Sequence, residues 1–307
     1  MLLTAAFLMS TVGRAQSAAA KTDSAAASDM DAPDLSLSLT ATATERTNQA
    51  WTILNDAVTD PKRTQLQTRI QALAALSLLR RPRSAKMIAD AMTDPDLDIR
   101  TAAALAAGQT RDPNLTANLR SLLDDKEPQV AFTAAMTLWK MGDKSGEDIL
   151  MAVVDGERSA GPTTVHGTEH KIDKDLHDPK MLAKLGVMQG AAMALGPFGF
   201  GITAFEFIHQ SGGDLTRVAA MEQIAQEKTE PVHRELLAVL NDKDPAVRAS
   251  AAKALADYHD KATSNAIYEL FADKKFPVRL TAAAAYLRTT GTPGPLLAKA
   301  SSVKAGR

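Results

Sequence analysis

The stretch DKDPAVRASAAKAL, Asp242–Leu255, decides the fold, because near copies of it recur along the chain. A second copy, DKKFPVRLTAAAAY, covers Asp273–Tyr286, and the same frame fits residues 94–107 and 125–138. Each copy reads as a turn followed by a helix with an apolar anchor. Two small residues follow the anchor, four and five positions later. Since positions i, i+4 and i+8 share one face of a helix, this small pair predicts close approach of a neighbouring helix.

The anchors recur at a nearly constant period, which is typical of a repeat protein. Three of the six steps between anchors are 31 residues long, and the two steps that meet at Leu215 deviate from this length slightly. The step from Val130 to Val187 is almost twice as long, and a polar insertion over residues 155–180 accounts for the excess. The seven predicted anchors are Thr68, Ile99, Val130, Val187, Leu215, Val247 and Val278.

A second amphipathic helix precedes each clear copy, for example over residues 235–240. Two helices per unit of this length predict an all-α fold, an α-solenoid of about seven helix pairs over residues 45–300. The turn Asp-x-x-Pro-x-Val-Arg at Asp242–Arg248 resembles the HEAT repeat in its short bacterial form, the phycobilisome-lyase HEAT-like repeat. The resemblance implies stacked helix pairs and indicates little about function. The first pair, with nothing upstream to stack on, is expected to act as a cap.

An aspartate five residues before the anchor and an arginine directly after it recur in the clear copies. We predict a structural ladder in which each carboxylate caps a helix start or pairs with an arginine of a neighbouring unit. The alternative is a basic strip that grips an anionic ligand, which the interleaved acids disfavour. The units at Val187 and Leu215 are interpreted as lacking both residues. The ladder comprises Asp94, Arg100, Asp125, Asp242, Arg248, Asp273 and Arg279, with Arg69 as a further arginine.

The ends of the chain differ in composition from the repeats. Residues 1–17 predict a signal peptide, because the apolar run from Leu2 to Val12 is too short to span a bilayer and small residues follow it. Residues 18–44 are rich in Ala, Ser, Thr and Asp, which predicts a disordered linker. Residues 301–307 predict a disordered tail. A periplasmic or secreted location is therefore expected.

Composition excludes several classes of function. The chain has 35 Lys and Arg against 36 Asp and Glu, and no half is strongly basic, which disfavours a nucleic-acid partner. The absence of cysteine excludes disulfides, cysteine nucleophiles and thiolate metal sites. The uncharged stretch from Leu185 to Phe205 has the length of a membrane span. Because glycines and a proline interrupt it over residues 196–201, we predict a buried middle of the solenoid with no stable membrane span.

Three histidines in the insertion, His166, His170 and His177, are weak metal-ligand candidates. His166 and His170 would share one face of a helix and could hold a divalent ion. The surrounding glycines and proline favour a solvated loop instead, so no cofactor is predicted. Deoxyhypusine hydroxylase, a HEAT-like enzyme that holds di-iron with His-Glu pairs, is disfavoured because the chain has no such dipeptide and Glu169-His170 is reversed.

The favoured hypothesis is an exported, non-enzymatic scaffold that binds a protein or peptide on its stacked helices. The alternative is a metal-dependent or bilin-lyase-like enzyme that uses the insertion over residues 155–180 and the adjacent helix pair. Elemental analysis for zinc and iron discriminates between them. Replacing Ala160 to His177 with a short Gly/Ser linker is expected to preserve stability and weaken partner binding, because repeat proteins often place specificity in such loops.

Overall fold

The computed structural model describes residues 31–38, 40–59, 66–155 and 214–291. Within these ranges the chain is helical and forms no β-strand, which confirms the predicted all-α class. Short 3-10 turns lie between several of the helices. The twelve described α-helices are α1 Ala43–Thr59, α2 Leu66–Leu76, α3 Pro82–Ala91, α4 Leu97–Thr110, α5 Thr116–Ser121, α6 Pro128–Lys140, α7 Glu147–Val154, α8 Leu215–Ile224, α9 Glu230–Ala238, α10 Pro245–Leu255, α11 Lys261–Glu269 and α12 Phe276–Thr289.

Consecutive helices pack in pairs, each with a first and a second helix. The described pairs are α1 with α2, α3 with α4, α5 with α6, α9 with α10 and α11 with α12. Helices α7 and α8 border residues 156–213, which lie outside the described ranges. Five complete pairs and two single helices therefore fit a solenoid of about seven units.

Aspartate and proline define the starts of several second helices. Helix α10 begins at Pro245, directly after Asp244, whose carboxylate accepts the Ala246 N–H at 2.8 Å. Proline is tolerated at this position because the first helical N–H has no intrahelical partner. Helix ends carry signals as well: α4 ends at Thr110, and the next residue, Arg111, adopts a left-handed conformation with φ of 49°. These local signals are the ones that the repeat phrase encodes.

The second helices form one continuous row in the order α8, α10, α12, α2, α4, α6. The last described helix, α12, packs against both α1 and α2, so the two ends of the described chain meet in the middle of the row. The expectation that the first pair acts as a cap is therefore wrong. The cause is a contact between distant parts of the chain, which no local pattern reveals.

Polar contacts stabilise the junction between the first and last helix pairs. Arg46 Nη1 donates to Asn265 Oδ1 at 2.6 Å, and its guanidinium carbon lies 4.2 Å from the centre of the Tyr268 ring. The Tyr268 hydroxyl donates to Gln49 Oε1 at 3.1 Å. A single cluster of buried apolar residues also crosses the junction, so the two halves share one core.

The anchors and alanine pairs of the repeat are buried in this core. Five anchors are at most 1% exposed, and the alanine pairs that follow four of them are fully buried. At Gly108 in α4, an added Cβ would lie 2.7 Å from Thr137 Cγ2 in α6, so the glycine permits close helix contact. The buried anchors are Thr68, Ile99, Val130, Val247 and Val278, and the buried alanine pairs are Ala103/Ala104, Ala134/Ala135, Ala251/Ala252 and Ala282/Ala283.

Residues 31–38, which we predicted to belong to a disordered linker, instead lie against the last pair. The Ala32 N–H donates to the Lys274 carbonyl at 2.7 Å, and the Asp31 carboxylate pairs with Lys275 at 2.6 Å. Two leucines of the segment pack against the core. The main-chain hydrogen bond, the ion pair and the leucine contacts together hold this segment, and their partners lie far away in the sequence. The first helix also begins slightly earlier than expected, at residue 43.

Several predicted segments lie outside the described residues. These are the signal peptide over residues 1–17, most of the insertion over 155–180, the uncharged stretch over 185–205 and the tail over 301–307. Among the helices that are described, none combines the length and apolar character that a bilayer crossing requires.

Candidate functional site

Within the described ranges, four arginine–aspartate ion pairs of the ladder link the starts of successive second helices. In each pair the arginine lies near the start of one second helix, and the aspartate lies in the turn before the next. The sequence separation is the same in all four, so each pair ties one unit to its neighbour, as expected for coupling between adjacent repeats. The pairs are Arg69–Asp94, Arg100–Asp125, Arg217–Asp242 and Arg248–Asp273.

The Arg100–Asp125 pair shows the geometry of these ion pairs most clearly. Arg100 Nε and Nη2 donate to the two carboxylate oxygens of Asp125 at 2.7 and 2.9 Å. Arg100 Nη1 donates to the Asp94 carbonyl at 2.8 Å, and the paired side chains of Arg100 and Asp125 are 7% and 9% exposed. Parallel donation of this kind is the strong form of ion pair. The guanidinium is thus occupied by protein groups and is not available to a ligand.

The aspartates also hold the turns that precede the helices. Asp125 Oδ1 accepts the Glu127 N–H at 2.9 Å, which fixes the start of α6. Burial raises the pKa of the Asp125 carboxyl, but hydrogen bonds from Arg100 and from the Glu127 N–H outweigh this effect and lower it. The carboxylate therefore stays ionised in its partly buried position.

The structure corrects the sequence register in the unit that contains α8. We placed its anchor at Leu215 and interpreted the unit as lacking the ladder arginine. Arg217 in fact occupies the ladder position, with Nη2 2.6 Å from Asp242 Oδ2. The anchor position is Thr216, which lies one regular period before Val247. The irregular step from Leu215 to Val247 was the available signal, and we missed it because an apolar residue was preferred to threonine.

Arg279, the last ladder arginine of the chain, donates to main-chain carbonyls at the junction, whereas the other ladder arginines pair with an aspartate side chain. Its Nη2 donates to the carbonyls of Pro33 and Asp273, both at 2.8 Å, and the residue is 4% exposed. Burial lowers the pKa of this guanidinium, and the charges of Asp273 and Asp34 oppose that shift. The N-terminal segment therefore supplies the group that completes the ladder between the last and first pairs.

The histidines within the described ranges are held by neighbouring helices. The His233 ring stacks on Tyr258 with 4.2 Å between centroids, and its Nε2 lies 2.7 Å from Thr263 Oγ1. His259 Nδ1 donates to the Thr289 carbonyl at 2.9 Å. No group of three or more potential ligands able to hold a metal occurs in the described part of the chain. The candidates His166, His170 and His177 lie outside it.

One face of α6 carries large apolar side chains that reach the surface. Phe132, Met136 and Trp139 stand at positions i, i+4 and i+7, so they share one side of the helix. Phe132 is half-buried, Met136 is 37% exposed and Trp139 is 43% exposed. We call these three residues the apolar stripe. Their arrangement suits contact with another surface, since ordinary exposed apolar residues are scattered singly.

An open surface depression of about 610 Å³ lies beside the stripe, at the C-terminal ends of α4 and α6. We call it the basic groove, because Arg111, Arg120, Lys140 and Lys144 line it. Lys144 Nζ lies 5.2 Å from the centre of the Trp139 ring, so the groove adjoins the apolar stripe. Sequence reasoning missed the groove, although Trp139 followed closely by two lysines was a usable signal.

Comparison with known proteins identifies the repeat. The family model for HEAT repeats matches residues 54–139 and 203–288, together more than half of the chain. The chain belongs to the HEAT-repeat family. No curated protein shows a significant match to it over any stretch.

This HEAT-repeat protein is also similar to a solved structure, that of human deoxyhypusine hydroxylase in complex with glycerol. Identity is 22%, the match covers 80% of this chain and 96% of the other, and the TM-score is 0.30. The similarity corrects our expectation that the protein is not an enzyme, because a HEAT-like enzyme occurs among the structures that it resembles. Identity and TM-score at this level carry no argument about which activity, if any, this HEAT-repeat protein has.

Proposed function

We propose that this HEAT-repeat protein is an exported scaffold of the short bacterial type that binds a protein or peptide partner over the apolar stripe. The stripe carries the proposal, because it places three large apolar side chains on one face of a second helix at the end of the row. A helix that packs against such a face contributes apolar anchor residues at helical spacing. A rigid row of stacked helices supplies the support for that contact.

The experiment compares two exposed apolar positions at opposite ends of the row. Met136→Asp places a charge in the stripe, and the matched control Ile224→Asp changes α8, where Ile224 is 42% exposed. Crosslinked capture from the periplasmic fraction of the native host is expected to lose a partner with Met136→Asp and to retain it with the control. Thermal unfolding of both variants should match that of the unchanged chain.

A different outcome would contradict the proposal. If Met136→Asp lowers the unfolding temperature and the unchanged chain captures no partner, residues of the same chain cover the stripe. Export is tested separately by the intact mass of the protein from its native host. We expect a mature chain that begins between Gln16 and Lys21, and a mass that includes Met1 would contradict export.

A further inference from the structure

The basic groove differs from the ladder in the state of its charges. Arg111, Lys140 and Lys144 have no carboxylate partner among the described residues. Asp143 is the one carboxylate among the described residues that line the groove, and it accepts from Arg120 Nε at 3.0 Å. Unlike the ladder arginines, most cations of this surface are therefore not neutralised by the described part of the protein.

The carboxylates in and beside the groove, those of Asp143 and Asp112, accept hydrogen bonds within their own turns. Asp143 Oδ1 accepts the Ser145 N–H at 2.9 Å, in addition to its contact with Arg120. The Asp112 carboxylate accepts both the main-chain and the side-chain N–H of Asn114, at 3.0 and 2.9 Å. These carboxylates keep their charge, but four cations line the groove against the one lining carboxylate of Asp143, so the groove has an excess of positive charge.

Stabilisation of the helix dipole explains only part of this surface. Lys140 lies in the last turn of α6, where a cation is favourable. Arg111 directly follows the last residue of α4, where the dipole also favours a cation, whereas Lys144 lies beyond the end of α6 and outside its terminal turn.

We infer that the basic groove binds an acidic segment of a protein partner, whose carboxylates pair with Arg111, Lys140 and Lys144. The inference rests on the proposed function and names the chemistry of the partner. An acidic segment that also carries large apolar residues fits both surfaces, because the Lys144 ammonium group borders the Trp139 ring. Charge complementarity of this type sets specificity and the rate of association.

An acidic peptide matches the combined surface better than a nucleic acid does. Both ligands are anionic, but the stripe holds one exposed aromatic ring, that of Trp139, beside the aliphatic Met136, which suits apolar peptide side chains better than a succession of stacked bases. The near balance of 35 basic and 36 acidic residues also lacks the broad positive surface that binding to phosphates requires.

The test uses the full chain and a fluorescein-labelled peptide made of glutamate pairs separated by single leucines. We expect saturable anisotropy changes that weaken as ionic strength rises. Lys140→Gln combined with Lys144→Gln should weaken binding about tenfold, which corresponds to about 1.4 kcal/mol. The matched control, Lys126→Gln combined with Lys243→Gln, removes the same charge from exposed turns before α6 and α10 and should change binding less than about twofold.

Tryptophan emission provides a second readout of the same event. Trp51 is buried and Trp139 is 43% exposed beside the groove, so peptide binding should change emission from Trp139. This change should disappear in Trp139→Phe. Absence of peptide binding, equal weakening in both lysine pairs, or tighter binding of a single-stranded oligonucleotide would overturn the inference.

Partner capture distinguishes a wrong assignment of the basic groove from a wrong assignment of the scaffold function. If the native partner is captured equally by the unchanged chain and by the Lys140 and Lys144 variant, the groove is not the site, and the scaffold function stands. If the unchanged chain captures no partner, the proposed function itself is wrong.

Discussion

Arg248 and Asp273 form a two-point ion pair between adjacent second helices, with Nε 2.7 Å from Oδ2 and Nη2 3.0 Å from Oδ1. The Arg248 Nη1 atom also donates to the Asp242 carbonyl at 2.8 Å. One guanidinium therefore joins its own turn to the turn of the next unit. Because each unit contacts mainly its neighbours, a ladder of such pairs couples the stability of successive repeats.

Removal of one ladder arginine should destabilise the fold. Arg248→Ala leaves Asp273, whose side chain is 7% exposed, without its charged partner, and a cost of about 1–3 kcal/mol is expected. The control Arg217→Ala should cost clearly less, because the Arg217 side chain is 42% exposed and solvent screens its charge. Urea denaturation measures both. Unchanged stability together with loss of partner capture would show that the ladder has a binding role instead.

Acid should weaken the ladder at Asp242. Hydrogen bonds from Arg217 and from the Asp244 N–H lower the pKa of Asp242 from 3.8 to about 2. A lowered folded-state pKa contributes stability above the unfolded pKa, and this contribution is lost as pH falls through the folded one. The urea midpoint should therefore decrease as the pH is lowered from about 4 to about 2. The decline should be shallower in Arg217→Met, and an equally steep profile in that variant would contradict this explanation.

A cut in the insertion should leave the two halves associated. Because α12 packs against α1 and α2, the junction joins the halves independently of residues 156–213. We expect that cleavage at a protease site introduced between Thr163 and Thr164 yields two fragments that sediment together, with the size of the intact chain. Sedimentation velocity after cleavage measures this.

The matched junction variant is Arg81→Ala, which removes a 2.6 Å hydrogen bond from Arg81 Nη2 to the Leu287 carbonyl. Loss of this contact should raise the concentration at which the cleaved halves separate. Fragments that separate at once, with the unchanged junction, would show that the junction depends on covalent linkage.

The contact between α4 and α6 should be sensitive to one methyl group. Gly108→Ala gains about 1 kcal/mol of helix propensity but drives Cβ into Thr137 Cγ2, which lies on a buried β-branched side chain. Overpacking costs about 1–3 kcal/mol, so a net destabilisation of up to about 2 kcal/mol is expected. Thr137→Ser removes the clashing methyl group, and the double variant should recover stability in thermal unfolding. Failure of this rescue would place the strain elsewhere.

Local sequence patterns alone predicted the architecture of each unit. The period placed five anchors, from Thr68 to Val278, at buried positions, whereas the anchor assigned to Leu215 was one residue out of register. The turn residues Asp244 and Pro245 marked the start of a helix, because capping and proline placement are local effects. Recurrence of Asp and Arg at fixed offsets also placed pairs such as Arg100 and Asp125 on facing turns.

Tertiary structure alone decided how the units are ordered in space and where their surfaces are left open. The contact of Arg46 with Asn265 joins distant parts of the chain, and the segment over residues 31–38 lies against the last helix pair through the Ala32 main chain and the Asp31–Lys275 ion pair. Neither kind of contact leaves a periodic pattern. The basic groove likewise forms where the ends of α4 and α6 converge. Local patterns encode which face of a helix is buried, whereas the identity of the covering surface depends on the path of the whole chain.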